Sequence, residues 1–100
     1  MKQFSVYVSE TAKESILEYI QHISNTYKMP ATALRHHKEL YERIFSLSSY
    51  AESVQVSDKQ SILRYGVNAR AIKYKKMMVV YTIHDTLVVV RALLPAATIK

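Results

Sequence analysis

The stretch Met77–Leu94, MMVVYTIHDTLVVVRALL, limits what this chain can fold into more than any other. Val79, Val80, Tyr81, Ile83, Val88, Val89 and Val90 are β-branched or aromatic, side chains that fit a pleated surface and are poor helix formers. Asp85-Thr86 divides the run into two strand-length pieces, so the expectation is a hairpin turning at His84-Asp85-Thr86. Such a turn sets Ile83 beside Val88 and Tyr81 beside Val90; cross-strand pairs of this kind contribute roughly 0.2–1 kcal/mol each. Apolar and polar residues do not alternate strictly, which predicts either cover on both faces of the sheet or helices on one face and a partner on the other.

The rest of the chain supplies that cover. A length of 100 residues fits a single domain, residues 1–100, with one core. Gln3–Val8 alternates, with Phe4, Val6 and Val8 on one side, and predicts a short half-buried strand. Ser9 offers a helix N-cap, and Thr11–Glu14 also fits a capping box. Ala12, Ile16, Tyr19, Ile20, Ile23 and Tyr27 then form one amphipathic stripe. Pro30 suits the first turn of a second helix, whose stripe reads Leu34, His37, Leu40, Tyr41, Ile44 and Leu47, with His36 facing solvent and Glu39–Arg43 as an exposed i,i+4 pair. The short link between the helices favours an antiparallel pair. Residues 49–61 are polar and read mostly as loop, with Val54 and Val56 as a short extended piece. Gly66, the only glycine, marks a positive φ or a bulge. Arg70–Lys75 alternates as a strand, Lys75-Lys76 turns into the hairpin, and Pro95 ends the pairing. The expected fold is α+β, in the order β-α-α-β-β-β, with a helical hairpin on one face of an antiparallel-dominated sheet.

Charge is placed unevenly. Residues 1–58 balance to −1, whereas residues 59–100 carry eight Lys/Arg against the single acid Asp85. A basic half of this kind suits an anionic partner. Arg64, Tyr65, Arg70, Lys73, Tyr74, Lys75 and Lys76 interleave cationic and aromatic side chains, a pattern that can hold phosphates and stack bases, though Tyr74 reads equally as an ordinary sheet residue. Arg91 interrupts an apolar strand. It either pairs with Asp58, Asp85 or Glu52, or it faces an open surface that meets a partner. The four histidines show no metal-ligand spacing, and with no cysteine there is neither a thiolate zinc site nor a disulfide. No cofactor motif appears. The sequence shows neither a secretory leader nor a run of about 20 apolar residues, so the expected location is cytoplasmic.

Three segments carry a family resemblance. VYVSETAKESILEYIQHI, ARAIKYKKMMVVYTI and VVVRALL, in this order, resemble the opening strand and helix, the middle strands and the last strand of the RelE/ParE superfamily of type II toxin–antitoxin toxins. The resemblance covers nearly the whole chain and is closer to the ParE branch. It implies a growth-inhibiting toxin that acts by binding a macromolecular target such as DNA gyrase. It also implies neutralisation by a cognate antitoxin with an acidic, partly disordered segment, and assembly as a hetero-oligomer with it or as a homo-oligomer. In the RelE branch the target is the ribosome and its mRNA, cut by an endoribonuclease whose charge Arg70, Lys73 and Arg91 could supply here; a degenerate, non-toxic antitoxin-binding module is a further alternative. The tail PAATIK departs from that branch: it has no Tyr or His, and its only basic residue is Lys100. Only His84 titrates near neutrality in this half of the chain, and no acid–base pair is evident.

Overall fold

The computed structural model describes residues 3–99; Lys100 and the side chain of Tyr27, named above, lie outside what it describes. Four strands form one sheet in the order β1-β4-β3-β2. They are β1 (Ser5–Val8), β2 (Arg70–Tyr74), β3 (Met77–His84) and β4 (Leu87–Pro95). β4 pairs parallel to β1 and antiparallel to β3, and β2 is antiparallel to β3. Ile83 lies opposite Val88 and Tyr81 opposite Val90, as the turn position predicted. Asp85, at φ 59°, takes the left-handed conformation that a tight two-residue connection requires, so His84 closes the strand and stays out of the turn. Lys75, at φ 52°, does the same between β2 and β3.

The long helices α1 (Glu10–Tyr27) and α2 (Pro30–Phe45) pack on one face of the sheet. Ser9 caps α1 through a hydrogen bond that its Oγ accepts from the Ala12 amide, so the helix starts two residues too early for the Thr11 capping box. Ala12, Ile16 and Ile23 are buried as the stripe predicted. On α2 the buried face is Ala33, Leu40 and Ile44. Leu34 and His37, assigned to the stripe from the sequence, are exposed, and His36 turns inward. Successive steps of three residues lag a 3.6-residue turn by about 60° each, which carries Leu34 about 120° round the helix from Leu40. Glu39 pairs with Arg35 at 3.9 Å, and Arg43 donates instead to the carbonyl of Lys73 at 3.2 Å.

The predicted loop after α2 is partly helical. Short helices α3 (Leu47–Tyr50) and α4 (Gln60–Leu63) flank a 3-10 turn at Ala51–Ser53 and an extended piece around Val54. Their purpose is burial: Leu47 and Ala51 join the helix-side core, and Ile62 packs with Ala69, Val80 and Ala92 on the sheet's second face. Tyr65, Leu94 and Ile99 pack against that second cluster, so both faces are covered over part of their area. Gly66 has φ +157°, and a Cβ there would sit 2.8 Å from Thr82 Cγ2.

Two outcomes follow. Gly66→Ala should destabilise the fold by about 1–3 kcal/mol, read as a lower urea midpoint, because both the backbone and the Thr82 methyl resist a side chain. Burial pushes the hydroxyls of Tyr81 and Tyr74 up to about 12 from 10.0. The folded state therefore holds protons that the unfolded chain has lost, and stability is complete below pH 10 and falls between pH 10 and 12. Tyr81→Phe should flatten that alkaline decline in pH-stepped urea melts.

Candidate functional site

The sheet separates the candidate residues. Ile72 and Tyr74 of β2 belong to the helix-side core, and Arg70 shares their side of the strand; Ala71 packs on the second face, and Lys73 shares that side. Arg70 Nη1 donates to the carbonyl of Ala51 at 3.2 Å. The same oxygen accepts the hydroxyl of fully buried Tyr81 at 2.8 Å. Arg70 thus has a structural partner on the helix side. Tyr74 is 8% exposed and donates to the carbonyl of His36, which leaves no ring face free for a base and makes it the ordinary sheet residue of the two readings.

Arg91 lies on the other face. Val80 pairs with Ala92 and Tyr81 with Val90, so Arg91 is the extra residue of a β-bulge in β4. Of the two readings of Arg91, no ion pair among the described residues joins it to Asp58, Asp85 or Glu52, and it reaches the open part of the sheet face, held there by Thr82 and His84. Its Nε donates to Thr82 Oγ1 at 3.1 Å, and its Nη2 lies 3.2 Å from His84 Nε2. Thr82 Oγ1 is in turn 2.8 Å from His84 Nε2. With the ring hydrogen on Nδ1, the single Nε2 lone pair is shared between the Thr82 hydroxyl and the Arg91 guanidinium. Thr82, 2% exposed, is the buried anchor of the cluster. Sequence reasoning overlooked it, although Thr82 and His84 are two apart on a strand and must share a face. The cluster holds a cation at the sheet surface, with one imidazole beside it. Lys73 pairs with Met78, four residues and about 13 Å along β3 from Thr82. The trio Arg70, Lys73 and Arg91 is therefore not brought together. Arg64 is exposed, with its guanidinium 5.6 Å from the ring of half-buried Tyr65.

The third cationic location is the β2–β3 turn. Lys75 Nζ lies 5.7 Å over the Tyr74 ring. A cleft of about 320 Å³ between this turn and the helices is lined by Tyr19, His22, Ile23, His36, Lys75 and Lys76. A second cleft shares Lys75 and Lys76 and continues past Lys73 to Pro95 and Ala97. Burial, and then the charge of Lys75, hold His36 below its ordinary value, only partly offset by Glu39. Its Nδ1 is buried without a hydrogen-bond partner. The clefts thus combine an apolar floor with an ammonium rim. Among the described residues no three His, Cys, Asp or Glu side chains converge as metal ligands, and no helix is long and apolar enough to cross a membrane.

The Thr82 hydroxyl should couple to Arg91. In a double-mutant cycle of Thr82→Val and Arg91→Lys, denaturant unfolding should show an interaction of about 0.5–3 kcal/mol.

Comparison with known proteins adds the fold's relatives. No family model and no curated protein matches the sequence. Among solved structures, the chain is similar to one from the chromosomal ParDE TA system from P. aeruginosa, with a TM-score of 0.75 and 11% sequence identity over 93% of this chain and 96% of that one. At that identity the likeness is one of fold, and it matches the architecture the family resemblance implied.

Proposed function

We propose that this chain is the toxin component of a type II toxin–antitoxin pair, closer to the ParE branch, and that it acts by binding a macromolecular target. The observation that carries the reading is the sharing of one fold, nearly end to end, with a chain of a ParDE system. The dispersal of the cationic candidates over two faces of the sheet supports a binder over a nuclease. In-line cleavage of RNA needs a base, an acid and cations within reach of one phosphate. The acidic segment of a cognate antitoxin would seat along the β2–β3 turn, its carboxylates on Lys73, Lys75 and Lys76 and its apolar side chains on the floor between Tyr19 and Ile23. A gyrase-type target is the finer form of the proposal.

A ribosome-dependent nuclease is the second reading, favoured only by the proximity of His84 to Arg91. Induced expression in a bacterial host, followed by growth and by DNA and protein synthesis, separates the two. Early arrest of DNA synthesis with filamentation is the expected result, and Arg91→Ala should leave toxicity within about tenfold, because no transition-state charge depends on it. Early arrest of translation, abolished by Arg91→Ala, would replace the binding mechanism with the nuclease. Unimpeded growth would leave a non-toxic antitoxin-binding module.

A further inference from the structure

One flank of α2 leaves large apolar side chains in solvent. Leu34 is 70% exposed and Phe45 49% exposed. Between them lie Lys38 and Tyr41, and the Tyr41 ring stacks on Phe45 with centroids 6.0 Å apart. Leu34, Lys38, Tyr41 and Phe45 recur at steps of 4, 3 and 4 and form one ridge about 16 Å long on the flank of the helix, with Leu34, Lys38 and Phe45 exposed and Tyr41 half-buried against the core. One flank carries Arg35 and Lys38 in its first half and Glu39 and Glu42 in its second. Their partners within the helix are weak: Arg35–Glu39 and Lys38–Glu42 are solvent-exposed pairs at 3.9 Å.

Reversed, this order becomes its own complement, with acidic residues facing basic ones. We propose that the α2 ridge is a self-complementary face on which a second copy of this chain docks, antiparallel, about a two-fold axis level with residues 38–40. That axis sets Leu34 opposite Phe45 of the second copy, Lys38 opposite its Tyr41, and Arg35 opposite its Glu42. Each contact occurs twice, as an isologous interface requires. A parallel two-fold arrangement would carry this flank to opposite sides of the seam and form neither charge pair. The area is small: a single ridge of this length falls short of the roughly 800 Å² per partner of a standard interface, so the dimer is weak and concentration-dependent. Neither the β2–β3 turn nor the Arg91 cluster lies on this ridge, so the inference is independent of the toxin reading.

Sedimentation of the full chain from about 5 to 500 µM tests it. The mass should climb from 11.5 kDa towards twice that value. A mass that stays at 11.5 kDa throughout would overturn the proposal. Leu34→Glu and Phe45→Glu alter exposed side chains, so helix content by circular dichroism should be kept while the dissociation constant rises at least about tenfold. A dimer indifferent to both changes would put the interface elsewhere. Charge reversal fixes the register. Arg35→Glu and Glu42→Arg should each weaken self-association, and an equimolar mixture of the two variants should associate better than either alone, because both cross-pairs are then opposite in sign. A mixture no better than its components would rule out the antiparallel register.

Discussion

The double pairing of β4 is the constraint on which the rest depends. One strand accepts β1 on one side and β3 on the other, so it must be extended, apolar on both faces and free of proline until its end. Val88 and Val90 serve the core beneath the helices, and Ala92 serves the second cluster. Every other element is placed by what β4 leaves uncovered. The helices bury one face, while α4 and the segment around Ile99 bury part of the other. The uncovered remainder of that second face is where Arg91 emerges.

The sheet also acts as an electrostatic partition. On its helix side, the Ala51 carbonyl collects Tyr81 and Arg70 into one buried arrangement, which ties the irregular segment after α2 to β2 and β3. On the other side, the Thr82 hydroxyl collects His84 and Arg91. Two guanidinium groups of the same short sheet are thus committed to different neighbours, with a layer of backbone between them. Chemistry that needs several cations on one phosphate is disfavoured by this division. Docking of an anionic segment along the turn at Lys75-Lys76 is not.

Much of this architecture is legible in the residues, for identifiable reasons. The hairpin register follows from a two-residue turn and a period of two, both local and both rigid. Ser9 and Pro30 announce helix starts through hydrogen-bond and ring geometry that hardly depends on context. The face of α2 was less legible: Ala33 is a weaker apolar signal than Leu34, yet its small side chain is the one buried. The short helices α3 and α4 have too few turns to show a period, and burial of Leu47 and Ile62 decides them. The Arg91 cluster depends on a bulge, and a bulge shifts the register by one residue in a way that no local pattern encodes.

The parallel union of β1 with β4 has a consequence for biosynthesis. Ser5 pairs with Leu87, about 80 residues later, so β1 has no strand of this sheet to join until that long stretch has been made. The α1–α2 hairpin can form early, with Ala12, Ile16, Leu40 and Ile44 still facing water. Closure of the fold therefore waits on one long-range pairing, that of β1 with β4. The interior that Phe4 and Val8 share with Val88 and Val90 closes only once that pairing has formed.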